Sequence, residues 1–219
     1  MSTRQYKSLG EELWRQNPSK VNSELFSLSY GALVVQLVKD YEDYAQVNVQ
    51  LEKMGYNIGT RLIEDFLARS NLPRCTDVRE MAEVISKVGF KMFLNITPAV
   101  SFQNVSSAAS PSYTEASMPK SKVSTESAVA PETRAAPQEF TLQFAENPLA
   151  EFVALPEDAL QGGLWYSNVL TGVLRGALEM VQIQAECTFV TDVLRGDETT
   201  EIRVKLIRFL DEGAPPADD

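Results

Sequence analysis

An α+β domain is what the 219-residue sequence predicts, on three observations. Helical periodicity governs its first hundred residues or so, strand-type alternation comes afterwards, and no strand–loop–helix unit of a βαβ nucleotide fold occurs. Long helices packed with an antiparallel sheet satisfy all three.

Residues 1–20 are polar and read as a flexible N-terminal arm carrying a short helix around Glu11–Arg15. The domain proper is expected over 21–210. A first long helix starts near Asn22 or Ser23, with Ser23 as its cap and Glu24 in the first turn. Leu25, Leu28, Ala32, Val35 and Val38 recur at helical spacing and predict a buried face, while Val34 and Leu37 widen the apolar stripe. So apolar a helix packs on two sides, against its own domain and against something else. A second helix is predicted over 48–68 with Ile58, Leu62, Ile63 and Phe66 inward, ended by Ser70-Asn71-Leu72-Pro73. A third runs over 77–94. Asp77 and Glu80 have capping-box spacing, and Val78, Met81, Ala82, Ile85, Val88, Gly89 and Met92 share a face.

Alternation at Val100 and Phe102, and again at Phe140, Leu142 and Phe144, predicts a hairpin. Its loop is overgrown. Of the 34 residues 104–137, Ser, Thr, Ala and Pro account for 22, too little apolar surface to offset ordering entropy, so disorder is expected there. A short helix is predicted after Asn147-Pro148 and a long one over 165–186. Strands over 188–194 and 201–210, joined by Arg195-Gly196-Asp197, complete the domain. The tail 211–219 is acidic.

Composition excludes much. With 44% apolar and 23% charged residues the chain can fill a core, while a net charge of −10 argues against nucleic acid as a partner. No apolar run reaches the roughly 20 residues of a membrane span, and the N-terminus lacks the apolar segment of a signal peptide, so a soluble, cytoplasmic protein is expected. There is no histidine, hence no Ser-His-Asp or Cys-His pair and no His-ligated metal; two cysteines do not make a thiolate zinc site either. No metal and no autonomous catalysis are expected.

Two features suggest association and a reactive thiol. Gly55 and Gly59, and again Gly172 and Gly176, stand four apart within helical patterns. Each costs about 1 kcal/mol relative to alanine, which suggests close approach of another backbone; local tolerance or a kink is the other reading. Cys75 sits between Arg74 and Thr76, just before the third helix, with Arg79 a turn on. A helix N-terminus and two guanidinium groups favour thiolate, and the stripe from Val78 to Met92 could line a slot for an attached acyl chain, held open at Gly89. An inert buried cysteine and an ordinary core stripe are the alternatives.

Several long stretches carry a resemblance. Ser23-Glu-Leu-Phe-Ser-Leu-Ser-Tyr-Gly31, Met54-Gly-Tyr-Asn-Ile-Gly-Thr-Arg-Leu-Ile-Glu-Asp-Phe-Leu-Ala-Arg-Ser70, Arg74-Cys75, Leu94-Asn-Ile-Thr-Pro98, Tyr166-Ser-Asn168, Gly172-Val-Leu-Arg-Gly-Ala-Leu-Glu-Met-Val181 and Thr200-Glu-Ile-Arg203 together resemble the Bet-three-type core subunits of the transport protein particle, TRAPP. The resemblance implies an α/β-plait-like fold and pairing with related small subunits through the first two long helices. It implies a vesicle-tethering complex in ER-to-Golgi transport that also acts as a guanine nucleotide exchange factor for a Rab GTPase. Location would be peripheral, at cis-Golgi and ER-derived vesicle membranes. It further implies a palmitate thioester on Cys75, its chain in an internal tunnel, and a C-terminal tail reaching towards the GTPase. This tail ends Ala217-Asp218-Asp219 where the family has a glutamate near the end; contact by Asp218 and Asp219 and a merely solvated tail both stay open. The competing expectation is a free-standing acyl- or lipid-binding carrier using the same tunnel.

Overall fold

The computed structural model describes residues 1–75, 77–102 and 138–210; the insertion expected over 104–137 and the acidic tail with Asp218 and Asp219 lie outside the described residues.

Ser2 opens α1 (Thr3–Gln16) with a complete capping box, its hydroxyl accepting from the Gln5 N–H and the Gln5 side chain accepting from the Ser2 N–H. The arm expected over 1–20 is therefore corrected to a fourteen-residue helix followed by a short link. A narrow stripe, Tyr6, Gly10 and Leu13, is enough to dock it against Phe66, Val84, Val88 and Met92 in a small second core. Polar residues all around that stripe hide it from composition.

Asn22, not Ser23, caps α2 (Ser23–Tyr41), its side chain accepting from the Leu25 N–H at 2.9 Å. The buried face of α2 is Ser27, Tyr30, Val34 and Leu37. Leu25, Leu28 and Val35, expected inside, are 54–61% exposed. With apolar residues on both sides, periodicity could not tell which stripe meets the domain; polar anchors decide it. Ser27 donates to the Pro148 carbonyl and Tyr30 to that of Tyr166, each at 2.5 Å.

Asp43 caps α3 (Tyr44–Ser70), which begins one turn earlier than expected and ends where Asn71 turns left-handed at φ 50°. The third segment is α4 (Val78–Val84), a π-turn (Ile85–Gly89) and α5 (Phe90–Leu94). The expected Asp77–Glu80 capping box does not form: Asp77 makes no side-chain cap, and Glu80 accepts the Tyr6 hydroxyl at 2.5 Å instead. Gly10 of α1 rests on the Lys87 carbonyl of the π-turn, leaving no room for a Cβ.

Strands β1 (Ala99–Ser101), β2 (Glu139–Phe144), β3 (Ile183–Thr191) and β4 (Thr200–Phe209) form one antiparallel sheet in the order β1-β2-β4-β3. Rows such as Val100–Leu142–Ile202–Phe189 and Phe140–Val204–Cys187 run across it, and their central residues are fully buried. Helix α7 (Val169–Met180) packs on β3. It starts later than the predicted 165–186, after turns at 166–168, and ends earlier because Gln182 takes φ 67°, after which the chain is already in β3. The short helix expected after Pro148 is a series of turns; α6 (Glu157–Gln161) comes later. Asn147 explains the turns, its side chain binding the Leu149 N–H and the Ser167 hydroxyl.

Helices α3 and α7 cross backbone to backbone. A Cβ on Gly55 or Gly59 would collide with the carbonyl oxygens of Val169 or Val173, and one on Gly172 or Gly176 with those of Glu52 or Tyr56. Each pair of glycines thus forms the groove that receives the other helix. Arg175 seals the seam by lying over the Tyr56 ring (4.8 Å) and pairing with Glu52 (2.9 Å).

Candidate functional site

The α3–α7 crossing, α4–α5 and the N-terminal half of α2 border a cavity of about 450 Å³ that opens to solvent past the exposed Phe26, Ile58 and Leu67. Its walls are Ile58, Leu62, Ile63, Phe66 and Leu67 of α3, and Val169, Leu170, Val173, Leu174, Ala177 and Leu178 of α7. Met81, Val84, Ile85, Gly89, Phe90, Phe93 and Leu94 come from the third helical segment, Phe26 and Tyr30 from α2. Leu72, Pro73, Arg74 and Cys75 border it between α3 and α4. A volume within the usual ligand-site range, with walls this apolar, suits a long hydrocarbon chain rather than a polar ligand.

Of the stripe expected to line it, Met81, Ile85 and Gly89 do so. Val78, Met81 and Ala82 belong to the main core, and Val88 and Met92 to the small core under α1. Val78, Ala82, Val88 and Met92 are therefore corrected from tunnel wall to packing residues. For Val88 and Met92 the π-turn is the reason; Val78 and Ala82, upstream of it in α4, are simply taken up by the main core. Phe90 N–H bonds the Ile85 carbonyl, five residues back, and the extra residue rotates everything downstream by about 100°. Gly89, Phe90, Phe93 and Leu94 then face the cavity where a regular helix would have put Val88 and Met92. At Gly89 a Cβ would meet only the Val84 carbonyl oxygen, at 3.9 Å, so this wall has room to spare. The walls from α3 and α7 were concealed differently: their residues read as ordinary helix packing, and only the fold turns both helices towards one space.

Cys75 is a half-buried free thiol touching both cores. Burial, and secondarily the charge of Glu80, pushes its pKa up to about 11. That corrects the expectation of an activated thiolate. Arg74 donates to the Gln182 carbonyl at 3.4 Å, and Arg79 lies 5.2 Å over the Phe102 ring, so both guanidinium groups are engaged elsewhere. The thiol form predominates at neutral pH. Alkylation of the unmodified chain at Cys75 should accelerate about tenfold per pH unit from neutrality and level off only near its raised pKa. A plateau already reached by about pH 9, its ordinary value, would contradict the burial argument. Cys187, in β3, is buried in the core, and burial pushes its thiol up to about 12.

Among the described residues no group of three or more His, Cys, Asp or Glu could hold a metal ion, and no helix is long and apolar enough to cross a membrane.

Residues 26–205 match the family model described as transport protein particle (TRAPP) component. The chain is 47% identical over 218 residues to the trafficking protein particle complex subunit BET3 of Saccharomyces cerevisiae, spanning 99% of this chain and 97% of that one. It is 48% identical over 211 residues to the transport protein particle subunit bet3 of Schizosaccharomyces pombe, covering 96% and 97%. Among solved structures, a trafficking protein particle complex subunit 3 from Naegleria fowleri, covalently bound to palmitic acid, aligns at a TM-score of 0.69 and 41% identity, covering 89% of this chain and all of the other.

Proposed function

We propose that this chain, which belongs to the transport protein particle (TRAPP) component family, serves as a core subunit of a TRAPP vesicle-tethering complex and carries a palmitoyl thioester on Cys75. The observation that supports the reading most is the free thiol at the border of an apolar cavity, in a chain similar to a subunit that is covalently bound to palmitic acid. In acylation the Cys75 thiolate attacks the carbonyl of an acyl thioester donor; the new C–S bond forms as the donor thiolate leaves, and the Cys75 proton goes to solvent. The chain then lies against Met81, Ile85 and Gly89. Burial contributes roughly 0.8 kcal/mol per methylene.

Within the complex the subunit is structural. The exposed apolar side of α2 and α3, including Leu25, Leu28, Val35 and Val49, pairs with related small subunits. The assembled complex tethers vesicles in ER-to-Golgi transport, held peripherally at cis-Golgi and ER-derived membranes, and exchanges nucleotide on a Rab GTPase, with Asp218 and Asp219 as candidate contacts. A gentle pull-down of the tagged chain should recover stoichiometric small paralogues, and its intact mass should include a hydroxylamine-sensitive adduct. The cavity by itself would equally serve a free-standing acyl carrier. Recovery of a monomer that exchanges fatty acid freely would favour that carrier and sink the subunit reading.

A further inference from the structure

The cavity and the outer face of α2 are two sides of one helix. Phe26 and Tyr30, a turn apart, line the cavity, whereas Leu25, Leu28 and Val35 point away from the domain and are more than half exposed. Between them the N-terminal half of the helix is held by Ser27 and Tyr30, both buried. Ser27 donates to the Pro148 carbonyl, and Tyr30 donates to the Tyr166 carbonyl with its ring edge-on to Tyr166 at 5.2 Å. Leu149, beside the Ser27 anchor, also lines the cavity. With the cavity empty, Phe26 has solvent on one side and a void on the other, so its ring lacks the packing that the buried Ser27 and Tyr30 have on the same half of α2. A hydrocarbon chain supplies that packing.

We propose that acyl occupancy of the cavity and docking of a related small subunit on α2 and α3 are positively coupled, with α2 as the shared wall. The inference rests on the pairing and acylation read above. It adds that the acyl chain is a regulator of assembly: a partner meeting an already ordered α2 bears less of the cost of ordering it. Coupling of this kind is reciprocal and typically changes affinity 5–150-fold.

The test compares acylated chain, hydroxylamine-treated chain and Cys75→Ser for affinity towards one recombinant small paralogue recovered with the complex. The acylated form should bind at least about tenfold more tightly than the other two. Hydrogen exchange should slow in α2 over residues 23–31, while the sheet is unchanged. Palmitic acid added to the Cys75→Ser chain should recover both effects without a thioester, so the coupling is read even if no adduct is found on the native chain. Equal affinities and equal α2 exchange, with and without the chain in the cavity, would overturn the coupling and leave pairing standing. No binding in any form would overturn both.

Discussion

Gly172→Ala is expected to lower the melting temperature by roughly 6–12 °C, although alanine favours helix over glycine by about 1 kcal/mol. The added methyl group would meet the Glu52 carbonyl oxygen and the Tyr56 N of α3, backbone atoms that cannot move aside without their helix. Separating the helices loosens Gly55, Gly59 and Gly176 at the same time, because all four share one seam. Overpacking commonly costs 1–3 kcal/mol, and about 3 kcal/mol is expected here because the obstacle is main chain. Gly89→Ala provides the control: with only one neighbour, at 3.9 Å, it should melt no lower than the parent chain. Thermal denaturation of both variants side by side checks the argument, and a Gly172→Ala melt within a degree or two of the parent would refute it.

Removing the acyl chain proposed on Cys75 should have an effect at least as large. A palmitoyl group has about fourteen methylenes, so its complete burial sets a ceiling of ~11 kcal/mol at about 0.8 kcal/mol each. Half of that, surviving incomplete enclosure and a denatured state that partly shelters the chain, would shift the melting temperature by about 10–20 °C for a protein this size. Hydroxylamine treatment followed by a thermal melt is the measurement. Gly89→Leu offers a second route, since it places side-chain volume where the chain would lie. It should reduce acyl occupancy while keeping the fold. An unchanged melt after verified loss of the adduct would mean that the chain does not lie in the cavity.

Much of this architecture could be read before any coordinates. The α+β class, the antiparallel strands and the positions of the long helices follow from periodicity, because α3 and β4 each bury one regular face. What escaped has identifiable causes. Helix α1 docks through Tyr6, Leu9, Gly10 and Leu13, too few to register against a polar background. Leu25, Leu28 and Val35 obey helical spacing as well as Tyr30, Val34 and Leu37 do, so only tertiary anchors settle the orientation of α2. The cavity wall was misassigned at Val88 and Met92 because a π-turn is a departure from the very period used to find faces. Cys75 has arginines beside it in sequence, but electrostatics depends on where their charges end up; one reaches a carbonyl, the other an aromatic ring, and desolvation dominates the thiol.

The glycine seam also bears on how the chain folds. Its two halves, Gly55–Gly59 and Gly172–Gly176, lie on opposite sides of the 104–137 segment in sequence, so this close backbone contact is also a long-range one. Such contacts form only after a large loop has closed, which places them among the slower events of folding. Closure entropy grows with the logarithm of loop length, so excising the whole segment would ease that step by only about 0.3 kcal/mol. Length changes in this stretch are thus nearly silent in the rate at which the seam closes.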